Sequence, residues 1–392
     1  MTLLPRRRVR RALDTDQRFP TEPLDGALLE VTDVRTMFQT DRGLVRAVDG
    51  VSFSLERGRT LGVVGESGSG KTVLSRSIMG LLPKSGVVRE GSIVFEGREI
   101  GHASPEEMRS LWGTQMAMVF QDPMTSLNPV MRIRRQITEP LLYHLDISRS
   151  YANELALALL TSVGIPEPER RLNEYPHQLS GGMRQRVMIA IAIACGPKLL
   201  FADEPTTALD VTVQAQILDL LQAQQRERFM AMILVTHDLG VVAGRADEIA
   251  VMYAGRIVEK APTTTLFHQM RHPYTEALVR SIPRLTNRSH TRLDVIHGRP
   301  PDLVNAPPGC KFSPRCPYVQ DRCRIEEPPL IDADAPGHAY RCWFPVGTPE
   351  GRAALERNRA EGRVPVGTIA DTVPAADTIS AAGVDTASSG GA

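Results

Sequence analysis

The chain has 392 residues, of which 42% are hydrophobic and 5% aromatic, and its 46 basic residues almost balance its 45 acidic ones. This composition is sufficient for packed domains of about 150 residues each, and a net charge of +1 gives no sign of a nucleic-acid partner. The longest apolar run, from Val187 to Cys195, is far shorter than the ~20 residues that cross a bilayer. No apolar stretch follows the basic cluster near the start, so no secretory signal is predicted and we expect the chain to stay in the cytoplasm.

The order of patterns predicts an α/β domain that follows a tail. Residues 1–27 are rich in Arg and Pro without periodicity, which predicts disorder, and residues 28–34 alternate as a first strand. Up to about residue 283, short apolar strands alternate with helical patterns, which indicates a largely parallel sheet. These strands are predicted at 60–64, 116–120, 199–202, 232–235 and 249–253. Strand patterns are absent from about 131 to 180, where helical spacing predicts an inserted helical subdomain.

The last part of the chain divides by composition into a small module and a tail. Residues 284–346 are rich in Pro and Cys, whereas residues 347–392 are mostly Ala, Thr, Gly and Asp and are predicted to be disordered. In a reducing compartment, clustered cysteines indicate metal ligation before disulfides. Zinc sites usually contain pairs two to four residues apart, and no such pair is present here. The clustered residues are Cys310, Cys316, Cys323 and Cys342, while Cys195 is predicted to pack in a helix.

A glycine-rich loop at residues 65–72 carries the strongest chemical signal. An apolar strand precedes this loop and a helical pattern follows it, which is the context of a P-loop rather than of a turn that binds nothing. Lys71 is expected to contact the β- and γ-phosphates, and the Thr72 hydroxyl is expected to ligate Mg²⁺. Backbone N–H groups would surround the phosphate oxygens along Gly65, Glu66, Ser67, Gly68, Ser69 and Gly70.

Three further predicted strands end in polar residues. Asp203 would hold Mg²⁺ through water and Glu204 would orient and deprotonate an attacking water, although either carboxylate could instead cap the next helix. Gln121 and His237 follow the strands at 116–120 and 232–235, and each alone is as well explained by a structural role. Because parallel strands end at one edge of a sheet, the set predicts a nucleotide site with a γ-phosphate sensor.

A second glycine pair makes a family resemblance specific. Residues 179–186, Leu-Ser-Gly-Gly-Met-Arg-Gln-Arg, begin a helix about 20 residues before Asp203, with Ser180 as the N-cap. With the P-loop, this stretch resembles the signature sequence of ABC-type ATPases, with Met183 where many members have Gln. The resemblance extends over residues 28–283. It implies a P-loop NTPase fold with a RecA-like parallel-sheet core, an antiparallel β subdomain and a helical subdomain.

The resemblance also implies roles for individual residues. Glu204 corresponds to the catalytic glutamate and His237 to the switch histidine, while Gln121 is the Q-loop residue and a further Mg²⁺ ligand. Phe38 is the expected adenine platform, with core packing as the alternative. Asp210 ends the D-loop. In this family the signature of one subunit contacts the ATP held by another, so a second ATPase subunit is implied, in a homodimer or a paralogous heterodimer. The signature residues that would make this contact are Ser180, Gly181 and Gly182.

Three segments outside these motifs indicate a branch of the family. They resemble the corresponding segments in the ATP-binding subunits of oligopeptide and dipeptide importers, and nickel and glutathione importers share these features. The segments are residues 119–129, 272–278 and 310–317. The resemblance implies a peripheral subunit on the cytoplasmic face of the membrane. It would contact two permeases that an extracytoplasmic binding protein supplies. The resemblance further implies a [4Fe–4S] cluster on the four clustered cysteines, with zinc, or no metal and a disulfide, as alternatives.

Two other classes of ATPase share the same motifs. A chromosome or DNA-repair ATPase needs a long coiled coil or zinc hairpin between Lys71 and Leu179, and that stretch is too short for one. A translation-type ATPase carries two cassettes in one chain, and this chain has one. The predicted function is therefore the ATP-driven motor of a peptide importer, in which ATP closes the dimer and hydrolysis reopens it.

Overall fold

The computed structural model describes residues 26–83, 85–207, 209–282 and 296–363. Most of the predicted N-terminal tail and residues 364–392 of the predicted C-terminal tail lie outside the described residues. Across the described ranges, no helix combines the length and the apolar character that crossing a bilayer requires.

The described strands form two sheets. One sheet has eight strands in the order β11-β12-β10-β9-β3-β8-β7-β6, and the other has four in the order β2-β1-β4-β5. The strands are β1 Leu29–Thr40, β2 Gly43–Leu55, β3 Thr60–Val64, β4 Val87–Phe95, β5 Arg98–Glu99, β6 Met116–Val119, β7 Leu199–Asp203, β8 Ala231–Thr236, β9 Glu248–Tyr253, β10 Arg256–Pro262, β11 Ile331–Asp332 and β12 Ala339–Tyr340.

The parallel part of the large sheet is the core of the molecule. Strands β9, β3, β8, β7 and β6 pair in parallel in that order. Every residue of β3, β7 and β8 is buried, because strands covered on both faces read as continuous apolar runs. Each predicted strand of this core is present, with ends that differ by up to one residue. The parallel arrangement brings the carboxyl ends of β3, β6, β7 and β8 to one edge.

The helices cover the large sheet and fill the segment between β6 and β7. Ser148 begins one of these helices as an N-cap, since its side chain accepts a hydrogen bond from the Tyr151 amide. The helices are α1 Lys71–Ile78, α2 Pro105–Leu111, α3 Pro123–Ser126, α4 Ile133–His144, α5 Arg149–Ser162, α6 Pro168–Arg171, α7 Gly181–Ala192, α8 Val211–Glu227, α9 Leu239–Val242, α10 Thr263–Gln269, α11 Pro273–Ser281, α12 Asp321–Ile325 and α13 Pro349–Ala360. Short 3₁₀ turns occupy Pro176–Gln178 and Ser313–Arg315.

Residues 296–346, which we call the cysteine segment, add to the large sheet. Strand β12 pairs antiparallel with β10 through Glu259 and Tyr340, and β11 pairs with β12. Phe312 from this segment is buried in the same hydrophobic cluster as the parallel strands. The cysteine segment is therefore continuous with the ATPase core in both its hydrogen bonds and its packing.

The prediction that residues 347–392 are disordered is wrong for the first part of that range. Helix α13 spans Pro349–Ala360, and Thr348 caps it by accepting a hydrogen bond from the Gly351 amide. Ala354 and Asn358 are buried. The helix buries so few apolar side chains that composition alone reads it as a polar tail, although its cap, its N-terminal proline and its Ala and Glu residues favour a helix.

Candidate nucleotide site and the cysteine segment

The P-loop leaves β3 at Val64 and enters α1 at Lys71, at the carboxyl edge of the parallel strands. Glycine is required at two of its positions. A Cβ at Gly65 would stand 2.2 Å from the Met252 carbonyl oxygen, and one at Gly70, where φ is 102°, would stand 2.1 Å from that of Ala47. The loop is thus fixed against neighbouring backbone.

Lys71 lies under this loop. Its side chain is 4% exposed, and its Nζ donates to the carbonyl oxygens of Gly65, at 2.7 Å, and Glu66, at 3.0 Å. Burial lowers the pKa of Lys71, and the nearby Glu204 and Asp203 carboxylates oppose that shift. The Ser69 hydroxyl is buried and has no hydrogen-bond partner among the described residues. A buried hydroxyl without a partner and a buried ammonium in the same loop are consistent with a loop that binds phosphate oxygens.

Two oxygen ligands suited to Mg²⁺ meet beside the P-loop. The Thr72 hydroxyl donates to Asp203 Oδ1 at 3.0 Å, which links the first turn of α1 to the end of β7. Burial raises the pKa of Asp203, while the Thr72 hydrogen bond lowers it. Hydroxyl and carboxylate oxygens are ligands that Mg²⁺ prefers, so this pair fits the ion that ATP hydrolysis requires.

The carboxylate of Glu204, which follows β7, lies close to polar side chains that follow β6 and β8. Its Oε2 accepts a hydrogen bond from Gln121 Nε2 at 3.1 Å and from the Thr207 hydroxyl at 3.0 Å, and His237 Nδ1 lies 3.4 Å away. Its Oε1 is 3.9 Å from Lys71 Nζ. The backbone of Glu204 has φ 45°, a left-handed conformation that residues with a Cβ rarely adopt and that costs about 1–3 kcal/mol. Such strain is a recurring property of functional positions.

A cleft of about 830 Å³ opens over these residues. The cleft joins the P-loop to Gln121, Glu204 and His237, as the sequence predicts. Its described lining consists of Ala47, Glu66, Ser67, Gly68, Gly70, Lys71, Thr72, Val73, Gln121, Glu204, His237 and Pro300. Pro300 comes from the cysteine segment, and nothing local in its proline-rich stretch links it to a nucleotide.

Other predicted site residues lie outside this described lining. Phe38 is half-buried on β1 opposite Val45 and Val87, so its adenine contact stays a prediction. Ser180 caps α7 by accepting from the Met183 amide, with Gly181 and Gly182 in the first turn. Asp210 caps α8 by accepting from the Val213 amide at 2.9 Å. In this single chain, Ser180 and Asp210 are therefore the N-caps of two helices.

The four clustered cysteines converge on a second, much smaller cavity. Cys310, Cys316, Cys323 and Cys342 all line a space of about 10 Å³, together with Phe312. All are unbridged, and burial raises the pKa of every one of these thiols. Among the residues that the structure describes, no group of three or more His, Cys, Asp or Glu is placed to hold a metal ion. The expected cluster or zinc ion thus has no ligand geometry here, only a converging set of soft donors.

Cys195 lies in the turn that follows helix α7, which ends at Ala192, so the prediction that it packs within the helix is wrong. Its sulfur lies 3.6 Å from the Pro140 carbonyl oxygen, and the residue packs, half-buried, against the main hydrophobic cluster.

The P-loop also makes contacts that sequence reasoning missed. The Glu66 amide donates to the Tyr274 hydroxyl at 2.8 Å, and the Glu66 carboxylate pairs with Arg315 of the cysteine segment. Both partners lie in segments marked by the resemblance, 272–278 and 310–317. The pairing itself has no local pattern because more than 200 residues separate the partners.

Comparisons with known proteins agree with this architecture. The family model for "ABC transporter" matches residues 48–207, and the model for "Oligopeptide/dipeptide transporter, C-terminal region" matches residues 258–323. The chain is 50% identical over 318 residues to the oligopeptide transport ATP-binding protein OppD of Bacillus subtilis, a match that covers 81% of this chain and 88% of that protein. It is 49% identical over 320 residues to the dipeptide transport ATP-binding protein DppD of Escherichia coli, covering 82% and 97%.

Solved structures give the same result for the fold. The ATP-binding cassette MJ0796, in a dimeric post-hydrolysis state bound to ADP and Pi, superposes with a TM-score of 0.54 at 26% identity over 60% of this chain and 98% of that one. CbiO1 from Clostridium perfringens, part of the ABC transporter complex cbiONQ, gives a TM-score of 0.53 at 26% identity, covering 62% and 92%. The predicted ABC ATPase fold is therefore confirmed. The chain belongs to the ATP-binding proteins of ABC transporters, in the branch that carries the oligopeptide/dipeptide transporter C-terminal region.

Proposed function

We propose that this chain is the ATP-hydrolysing subunit of an importer for dipeptides or oligopeptides, bound to the cytoplasmic face of the membrane. The observation that carries the proposal is the cleft lined by Lys71, Thr72 and Glu204, with Asp203 hydrogen-bonded to Thr72. The chain that forms it is about half identical to peptide transport ATP-binding proteins. Nickel or glutathione as cargo is the less favoured alternative, and a non-transport ATPase is less favoured still.

The predicted catalytic and Mg²⁺-binding residues at this site have roles that their positions support. Lys71 and the loop amides bind the β- and γ-phosphates, and Thr72, Asp203 and Gln121 would hold Mg²⁺, which when bound supplies positive charge to the phosphate oxygens. Glu204 orients a water for in-line attack on the γ-phosphate and accepts its proton. His237, 3.4 Å from the same carboxylate, is placed to donate to the γ-phosphate.

The second half of each ATP site comes from another subunit. The exposed N-terminus of α7 at Ser180 presents backbone amides and the positive end of the helix dipole. The partners are a second ATPase subunit, identical or paralogous, and two permeases, with an extracytoplasmic binding protein supplying substrate. Phe38 contacts the adenine ring of ATP, and Asp210 is the last residue of the D-loop.

Transport by the assembled complex tests this function. Proteoliposomes that contain the permeases, both ATPase subunits and the binding protein should accumulate labelled peptide when ATP is enclosed, and a Glu204→Gln complex should not. ATP-dependent uptake of nickel or glutathione without uptake of peptide would reject peptide as the cargo.

For the four clustered cysteines we propose a [4Fe–4S] cluster, with zinc as the alternative. The support is chemical: four unbridged thiols line one cavity, and thiolate sulfur favours iron–sulfur clusters and zinc. Iron and acid-labile sulfide should be found in protein purified without oxygen. They should be lost in Cys316→Ser and retained in the matched Cys195→Ser control. Iron-free, zinc-loaded protein would contradict the cluster.

A further inference from the structure

Arg315 of the cysteine segment is a buried arginine that pairs with the P-loop residue Glu66. Its side chain is 3% exposed. All five of its N–H groups have acceptors: Glu66 Oε2 at 2.5 Å, Glu66 Oε1 at 2.9 Å, the Tyr253 hydroxyl at 3.3 Å, and the carbonyl oxygens of Ile296 at 3.2 Å and His297 at 2.9 Å. A fully satisfied guanidinium has one orientation, so the position of the Glu66 carboxylate is fixed with it.

The packing around Arg315 joins the P-loop to the cysteine cavity. The guanidinium lies 5.9 Å from the ring centres of both Tyr253 and Phe312. Phe312 also contacts Tyr274, whose hydroxyl accepts the Glu66 amide, with ring centres 5.4 Å apart. Phe312 at the same time lines the cavity of the four cysteines. One turn of chain therefore contacts the P-loop on one side and the thiols on the other.

The chemistry of Glu66 explains why this contact matters for nucleotide. Glu66 is in the loop whose amides face phosphate, and it lines the cleft. An unpaired carboxylate at this position would repel the negative charge of a nucleotide. The bidentate ion pair with Arg315 neutralises that charge, while the Tyr274 hydroxyl fixes the backbone of the same residue.

We propose that Arg315 is a positioning residue for nucleotide binding: it neutralises Glu66 and holds the first turn of the P-loop, so that the cysteine segment is part of the ATP site. The proposal rests on the nucleotide cleft described above and goes beyond it, because the catalytic motifs end before the cysteine segment begins. Arg315 acts on nucleotide through Glu66.

The affinity of the purified chain for Mg²⁺-ADP, measured by calorimetry, tests the proposal without any transport step. Arg315→Gln should weaken the affinity about tenfold to a hundredfold, since it leaves the Glu66 charge unpaired and the loop free to shift. Arg322→Gln is the matched control, because Arg322 is in the same segment but its side chain is 52% exposed and pairs with Glu326. This control should bind Mg²⁺-ADP as the unmodified chain does.

A double-mutant cycle separates the Glu66 contact from general destabilisation. On a Glu66→Gln background the carboxylate charge is already removed, so adding Arg315→Gln should weaken affinity by less than threefold. An equal loss on both backgrounds, or unchanged affinity in a folded Arg315→Gln protein, overturns the proposal. If the unmodified chain itself does not bind Mg²⁺-ADP, the nucleotide cleft is refuted instead, which keeps the two failures distinct.

Three further measurements keep the test decisive if Arg315→Gln folds poorly. Arg315→Lys retains the charge but not the bidentate geometry, and should give an intermediate loss of affinity. Hydrogen exchange of the amides of residues 66–70 in the nucleotide-free protein should quicken in either variant while the parallel strands stay protected. In the assembled complex the KM for ATP should rise while kcat at saturating ATP is retained. A fall in kcat with unchanged KM contradicts a positioning role.

Discussion

Glu204 is the residue on which the polar side chains of the cleft converge in the nucleotide-free chain. Gln121, Thr207 and His237 all lie within 3.4 Å of its Oε2, and its own backbone is held at φ 45°. Lys71 meanwhile donates to the carbonyl oxygens of its own loop. We infer that ATP redirects groups already in the cleft rather than assembling them from a distance, which reduces the reorganisation that catalysis requires.

Glu204→Gln should separate ATP binding from hydrolysis. The amide retains the shape and hydrogen bonds of the carboxylate but cannot accept the proton of the attacking water, so the ATPase rate of the assembled complex should fall by about 10²- to 10⁴-fold. ATP affinity should be retained and the ATP-bound dimer should accumulate. The exposed Glu56→Gln is the control. Hydrolysis at the unmodified rate would show that Glu204 is not the base.

Lys71→Ala should remove most of the nucleotide affinity. Because the substitution removes a charged hydrogen-bond donor to the phosphates, we expect the Kd for Mg²⁺-ADP to rise about tenfold to a hundredfold. Lys260→Ala removes a lysine that pairs with Glu248 away from the cleft and should leave the Kd unchanged. Equal affinities for the two variants in calorimetry would exclude Lys71 from the phosphate site.

The residues that could be predicted from the sequence are those whose chemistry is local. Lys71 and Thr72 follow a glycine pattern, and Glu204 and His237 each follow an apolar strand, so neighbouring residues indicate where they lie. Arg315 has no such signal. Its partner Glu66 is 249 positions away, and only the packing of the cysteine segment against the parallel sheet brings them together.

At the scale of elements, helix α13 acts as a clamp on the cysteine segment. Asn358 is 1% exposed, and its Nδ2 donates to the carbonyl oxygens of Pro317, at 2.8 Å, and Val319, at 2.9 Å. These carbonyls flank the turn that follows Cys316. Gln320 Nε2 also donates to the Val319 carbonyl oxygen, at 2.8 Å. Polar side chains therefore substitute for backbone pairing in a loop that has no regular structure of its own.

Asn358→Ala should loosen this turn. The Pro317 carbonyl oxygen would lose its donor, at a cost of about 1–3 kcal/mol, whereas the Val319 carbonyl oxygen would keep the hydrogen bond from Gln320 Nε2 at 2.8 Å. The thermal unfolding midpoint should fall by a few degrees, about 2–4 °C for each kcal/mol in a domain of this size. Limited proteolysis should cut within residues 317–320 sooner than in the control Glu356→Ala, which changes an exposed residue of the same helix. Equal unfolding midpoints for the two variants would refute the clamp.

Elements with a strong hydrophobic pattern were predictable from the sequence, and helix α13 shows why an element without such a pattern was not. The parallel strands are continuous apolar runs, and their predicted positions agree with the structure to within a residue at each end. Helix α13 has only Gly351, Ala354 and Asn358 buried, so its inward face carries almost no apolar signal. What holds it is hydrogen bonding and close backbone packing, since a Cβ at Gly351 would stand 2.0 Å from the Pro345 carbonyl oxygen.

For the whole molecule, the eight-stranded sheet unites two regions that composition separates. Proline and cysteine content predicts a module apart from the ATPase domain, yet β12 extends the sheet from β10, and Glu259 of β10 accepts hydrogen bonds from the amides of Arg271 and His272 and from His338 of the cysteine segment. All three groups converge on one carboxylate that is fully buried. Sequence cannot predict this continuity because two-residue strands carry no periodic pattern.

A substitution at Ser180 tests whether the signature of one subunit completes the ATP site of another. In the single chain Ser180 is exposed, and it lies outside the described lining of the cleft that contains Lys71 and Glu204. If it completes a partner's site, Ser180→Arg should leave the affinity of the isolated chain for Mg²⁺-ADP unchanged. The same change should lower the ATPase rate of the assembled complex by about a hundredfold. This is the effect expected when a group that stabilises charge in the transition state is lost.

The matched control for Ser180→Arg is Ser148→Arg, because Ser148 is also an exposed serine that caps a helix, α5, through its side chain. Both variants lose the same capping hydrogen bond, which costs about 1 kcal/mol. Only the variant at the signature should lose hydrolysis. If both lose it equally, the effect is that of a frayed helix start. If Ser180→Arg instead weakens nucleotide binding to the isolated chain, Ser180 acts on the site of its own chain, and the proposal that it completes a partner's site is wrong.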